Sequence, residues 1–102
     1  MESHENEWSL ETRLVQVRGQ VQGMGYREAC VRRARELSVT GWVRNRMDGS
    51  VEAMLQGSPE QLAEMYDWLS EGMSAALVDE LEVTEVQPPF ARFDNFERLP
   101  TL

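Results

Sequence analysis

Apolar residues recur along the chain with two different periods, and each change of period marks an element. Between Leu10 and Arg18 the run Leu-Glu-Thr-Arg-Leu-Val-Gln-Val-Arg has strand composition, with Val15 and Val17 on one face. From Tyr26 to Leu37 the apolar residues fall instead at positions 26, 30, 34 and 37, the spacing of a helix that buries one stripe. Val39 to Asn45 returns to β-branched and aromatic residues, Asp48-Gly49 has the chemistry of a tight turn, and Val51 to Gln56 reads as the hairpin partner. Ser58-Pro59-Glu60-Gln61 then supplies a capping serine, a first-turn proline and a glutamine placed to reach back, and Leu62, Tyr66, Leu69 and Met73 continue the stripe of a second helix, with Gly72 near its expected end. Ala76 to Val86 reads as an acidic strand with one wet face, and beyond Pro88-Pro89 the alternation from Phe93 to Leu99 predicts a short final edge strand.

The order strand, helix, strand, strand, helix, strand is that of an α+β, ferredoxin-like split βαβ sandwich: two helices on one face of an antiparallel or mixed sheet of four to five strands. A helical crossover makes the first two strands parallel, so their C-terminal ends share one edge of the sheet. The glycine-containing segment that leaves the first strand and Asn45, which closes the second, are therefore expected to meet there. A chain of 102 residues with 41% apolar content suits one core, predicted over residues 10–102. Residues 1–9, with Glu2, Glu5 and Glu7, read as a flexible acidic leader.

Composition narrows the chemistry. No run approaches the roughly 20 apolar residues of a membrane helix and the first residues are unlike a signal peptide, so a cytoplasmic protein without membrane contact is expected. One cysteine, Cys30, and one remote histidine, His4, make neither an intrachain disulfide nor a usual zinc site, and no metal or other cofactor is expected. Cys30 shares a helical face with Tyr26, Ala34 and Leu37 and is assigned to the core, as are Met65, Tyr66, Trp68 and Met73 to the core or its flanks. All ten cationic side chains are arginines, so neither Schiff-base chemistry nor a Walker lysine is available. A net charge of −8 opposes nucleic acid and acidic membranes, and an RNA-binding sheet of this topology would need a basic surface. An anionic ligand requires a local positive site.

The segment Gln20 to Arg27 can provide one. Glycines allow the backbone N–H groups of Val21, Gln22, Gly23, Met24, Gly25 and Tyr26 to turn inward, and the following helix adds its own unpaired N–H groups and positive dipole end. Arg27, in the first helical turn, offers a planar bidentate grip. Taken singly, each feature has an ordinary reading: a tight turn, an ion pair of Arg27 with Glu28, a turn asparagine at Asn45. The glycine pattern matches neither the dinucleotide-binding nor the Walker fingerprint.

Read together, Gly19-Gln-Val-Gln-Gly-Met-Gly-Tyr-Arg27 and Gly41-Trp-Val-Arg-Asn45-Arg-Met-Asp-Gly49-Ser-Val51-Glu52 resemble the two signature segments of the acylphosphatase family, with Gly57 where the second ends. The resemblance in element order runs from about Glu11 to the C-terminus. It implies metal- and cofactor-free hydrolysis of acyl phosphates to a carboxylate and inorganic phosphate on a ferredoxin-like fold. It further implies that Arg27 binds the phosphate, Asn45 orients the attacking water and the backbone from Val21 to Tyr26 forms the phosphate cradle; Met24 stands where the family usually has valine. A monomer is expected, with the small-molecule acyl phosphate as its partner. The alternative is a non-catalytic phosphate- or anion-binding ferredoxin-like module.

Overall fold

The computed structural model describes residues 10–102; the leader expected at residues 1–9 lies outside them. The elements follow in the order β1 (Glu11–Gln20), α1 (Tyr26–Glu36), β2 (Thr40–Asn45), β3 (Val51–Gly57), α2 (Pro59–Glu71), β4 (Leu77–Glu85) and β5 (Phe96–Arg98). They form one five-stranded sheet in the order β4-β1-β3-β2-β5. β3 runs antiparallel to both β1 and β2, with Ala53 opposite Val15 on one side and Val43 on the other. β1 and β2 are therefore parallel without being neighbours, as the crossover requires.

Period-two patterning decides which face is buried. Val15, Val17, Val43, Val51, Ala53 and Leu55 from the sheet pack with Tyr26, Cys30 and Ala34 of α1 and Leu62, Met65 and Leu69 of α2 in one buried cluster. Each large apolar side chain taken out of water there stabilises the fold by roughly 1.5–3 kcal/mol before entropy is counted. α2 begins with a full capping box: the Gln61 N–H donates to Ser58 Oγ at 3.2 Å, and the Ser58 N–H to Gln61 Oε1 at 2.8 Å. The helix stops at Glu71, so Met73, expected on its stripe, packs against the core from just beyond it.

Two departures from the expected pattern occur at the sheet edges. β4 is not a strand with one dry face: only Val78 and Leu81 tuck partly against the core, while Leu77 and Val83 are 58% and 42% exposed. Its place outside β1 leaves the helices little reach over it. The final strand is shorter than the alternation suggested and pairs parallel with β2, Gly41 opposite Phe96 and Val43 opposite Arg98. Phe96 anchors it in the core. Buried Gln56 guides the chain there, its amide donating to Thr12 Oγ1 at 2.9 Å and Ala91 O at 2.7 Å while its Oε1 accepts the Phe93 N–H at 3.0 Å. With β5 in place, β1, β2 and β5 all present their C-terminal ends at the same edge.

Candidate active site

The loop between β1 and α1 is fixed at both ends by packing. Val21 is buried at its start, and Tyr26 at its end donates its hydroxyl to Leu69 O at 2.6 Å and stacks at a tilt on Trp68 with 5.3 Å between ring centroids. Between these anchors Gly23 and Gly25 take left-handed φ values of 87° and 80°. A Cβ at either would meet nothing within 4 Å, so these glycines are required by backbone conformation and not by space. The first intrahelical bond of α1 is that of the Ala29 N–H to Gly25 O, 3.0 Å, which leaves the N–H groups of Tyr26, Arg27 and Glu28 without an intrahelical acceptor at the positive end of the helix.

This end of the helix borders a cavity of about 190 Å³. Val21, Gly23, Gly25, Tyr26 and Arg27 form its loop wall, Asn45 closes it from the end of β2, and Glu28 and Arg98 stand at its rim. Arg27 and Asn45, distant in sequence, thus share one cavity. Among the described residues Arg27 enters no ion pair; its Nη1 lies 3.5 Å from Leu99 O, too long to hold it firmly. Glu28, the partner an isolated Arg27 would be expected to take, is paired instead with Arg98 Nη1 at 2.9 Å. The Oδ1 of Asn45 is buried and has no hydrogen-bond partner among the described residues. Leaving a buried amide oxygen unpaired costs on the order of 1–3 kcal/mol, so its orientation calls for a reason.

Gln22 and Met24 belong to the loop without lining the cavity. Met24 packs its side chain against the core. Gln22 directs its amide across to the β2–β3 turn, where Nε2 donates to both Arg46 O and Ser50 O at 2.8 Å. That turn is closed by the Arg46 N–H on Ser50 O at 2.8 Å and the Gly49 N–H on Arg46 O at 3.1 Å. One side chain therefore ties the loop to the residue following Asn45. The sequence gives no local sign of this clamp, nor of Arg98 and Leu99 arriving beside Arg27, since both depend on contacts between distant segments.

The remaining reactive side chains are occupied elsewhere. Cys30 is buried, and desolvation pushes its thiol up to about 12, so no thiolate forms near neutrality. Burial, with Cys30 nearby, likewise raises the Tyr26 hydroxyl. Asp48 is lowered by hydrogen bonds from the Ser50 hydroxyl and N–H, at 2.6 and 2.9 Å, and serves the turn. The cavity lining contains neither histidine nor cysteine, and its carboxylate is Glu28. Among the described residues no group of three or more His, Cys, Asp or Glu side chains is arranged to hold a metal, and no helix is long and apolar enough to cross a membrane.

A split βαβ sandwich that opens a helix N-terminus and a half-buried arginine into one cavity has the donors that an anion-binding α+β domain needs. The comparisons with known proteins make the class specific. Residues 14–98 match the family model described as Acylphosphatase. A protein named Acylphosphatase 1 from Ralstonia nicotianae is 73% identical over 94 residues, covering 92% of each chain. An Acylphosphatase from Polaromonas naphthalenivorans is 61% identical over 89 residues, 87% of this chain and 88% of that one. The structure of an acylphosphatase from Coxiella burnetii superposes with a TM-score of 0.85 at 30% identity, covering 93% of this chain and 98% of the other. The chain belongs to the acylphosphatase family, whose members are enzymes that hydrolyse acyl phosphates.

Proposed function

We propose that the cavity between the β1–α1 loop and Asn45 is where this acylphosphatase hydrolyses the carboxyl-phosphate bond, with Arg27 and the loop amides binding the phosphoryl group and Asn45 holding the water. The single observation that carries the proposal is the buried, unpartnered Oδ1 of Asn45 in the same cavity as Arg27. An amide oxygen so placed can accept a hydrogen bond from a water and thereby aim its lone pair at phosphorus. It is not basic near neutrality, so it orients and does not deprotonate.

The step then balances simply. The water oxygen bonds to phosphorus, the bond from phosphorus to the acyl oxygen breaks, and its electron pair leaves on a carboxylate that needs no proton to be stable. The proton of the water passes to a phosphoryl oxygen of the substrate, giving inorganic phosphate. Charge redistributed over the phosphoryl oxygens is met by the Arg27 guanidinium, by the amides of those cradle residues that line the cavity, Val21, Gly23, Gly25 and Tyr26, and by the helix dipole. Positioning and electrostatics suffice for so good a leaving group. Metal-free action is part of the same reading, supported by the donor set of the cavity, and a cytoplasmic monomer completes it.

The test is release of inorganic phosphate from benzoyl phosphate, with a chelator present and spontaneous hydrolysis subtracted. Arg27→Ala and Asn45→Ala are expected to fold and to lose on the order of 10²–10³ in turnover, the scale of an oxyanion-type donor. Arg27→Ala should also lose competitive inhibition by phosphate, whereas Asn45→Ala should keep it. Near-wild-type turnover in either folded variant removes the role given to that residue, and abolition of wild-type activity by chelator would establish a metal requirement. The binding-module alternative predicts phosphate binding without turnover and is not favoured by the family.

A further inference from the structure

The rim of the cavity is ionic on both sides, and the hydrolytic reading gives it no task. Arg27 is half-buried in the first turn of α1, while the next residue, Glu28, and its partner Arg98 from β5 are exposed. Successive helical residues point about 100° apart, so Glu28 draws the Arg98 guanidinium to a direction different from that of Arg27. A phosphoryl group held at depth by Arg27 and the loop amides must leave its acyl group pointing outward, past these two side chains.

We propose that Arg98 is a specificity-determining residue that reads the charge of the acyl group and favours acyl phosphates whose acyl portion carries a carboxylate. This rests on the placement of the phosphoryl group proposed above. A guanidinium has five N–H donors. Among the described residues only Nη1 of Arg98 is engaged, on Glu28 Oε2 at 2.9 Å, so the other edge of the fork can receive a second carboxylate while Glu28 keeps the side chain over the cavity. Exposed ion pairs of this kind are weak, and the arginine can shift toward a ligand at little cost. Glu28 itself disfavours a free anion at the rim, so Arg98 both cancels that repulsion and supplies the attraction.

The experiment compares kcat/KM for benzoyl phosphate with that for its 3-carboxy and 4-carboxy derivatives in wild type, Arg98→Ala and Arg98→Glu. The ratio of carboxylated to plain substrate cancels intrinsic reactivity between variants and any general loss of stability. It is expected to fall roughly two- to five-fold in Arg98→Ala, the range of an exposed ion pair, and further in Arg98→Glu, with both effects shrinking at high salt. Turnover of plain benzoyl phosphate and phosphate inhibition should stay within about twofold in Arg98→Ala. An unchanged ratio, or an equal loss on all substrates together with weaker phosphate inhibition, would overturn the proposal, the latter by assigning Arg98 to the phosphoryl group. If wild type hydrolysed none of the substrates, the hydrolytic reading itself would fail, a result distinct from either.

Discussion

Replacing Gln22 by leucine tests whether the loop and the hairpin must be held in register for turnover. The substitution conserves bulk and removes the two 2.8 Å hydrogen bonds to Arg46 O and Ser50 O. Neither carbonyl is orphaned, because Arg46 O keeps the Gly49 N–H at 3.1 Å and Ser50 O keeps the Arg46 N–H at 2.8 Å. The loss is therefore that of two ordinary bonds at roughly 0.5–1.5 kcal/mol each, about 1–3 kcal/mol in all, without a further penalty for buried unpaired acceptors. In a domain of this size that lowers Tm by roughly 4–8 °C for each kcal/mol. Val21 and Tyr26 anchor the loop independently, so the freedom gained falls mainly on the hairpin and on Asn45 beside Arg46. If about 1.4 kcal/mol of the lost interaction served to place Asn45 in the transition state, kcat drops about tenfold. Thermal melts and steady-state hydrolysis of benzoyl phosphate, with phosphate as competitive inhibitor, separate the outcomes. A Tm loss with unchanged kcat would reduce Gln22 to a fold element. A phosphate inhibition constant that worsens in step with kcat would show that the loop, not Asn45, had been displaced.

Other outcomes follow from particular contacts. Gly41→Ala should unfold the protein or destabilise it by more than about 2 kcal/mol in a denaturant titration, because φ is +132° and an added Cβ would come within 1.8 Å of Met54 O on β3. Ser58→Ala should cost about 1 kcal/mol by the same measurement through loss of the cap on α2, with little change in turnover. Cys30 holds its proton more tightly when folded, to about 12 against an ordinary 9.0, so its contribution to stability is complete below about pH 9 and is lost as pH rises from there toward 12. Unfolding free energy measured across that window should fall with a slope of up to about 1.4 kcal/mol per pH unit from this group, and Cys30→Ala should make the decline shallower, Tyr26 acting in the same direction.

How much could be read in advance depended on how local each signal was. The capping box at Ser58 and Gln61, the Asp48-Gly49 turn and the stripe through Tyr26, Cys30 and Ala34 are fixed by neighbours within a few residues, and each forms as its pattern indicates. The convergence of the β1–α1 loop with Asn45 was legible too, because the handedness and direction of a crossover constrain where strand ends fall. The edges were less so. Three residues of β5 carry almost no periodic signal, and its choice of β2 as a parallel partner is settled by burial of Phe96 and by the route that Gln56 imposes on the preceding segment. Consequently nothing local to Arg98 and Leu99 signals that they lie near Arg27, although their types are in plain view. The Gln22 clamp carries no local signal for a related reason: a loop glutamine between glycines looks solvated until the opposite turn is in place.

The common edge reached by β1, β2 and β5 has a consequence for biogenesis. The cavity draws its walls from the early, middle and late parts of the chain, so no fragment emerging from a ribosome contains it until the last strand has docked. Closing such long loops is slow relative to forming hairpins or helices. The complete rim is thus the last part of the cavity to be assembled, and the preference for carboxylated acyl groups proposed for Arg98 should return during refolding no earlier than the C-terminal segment docks.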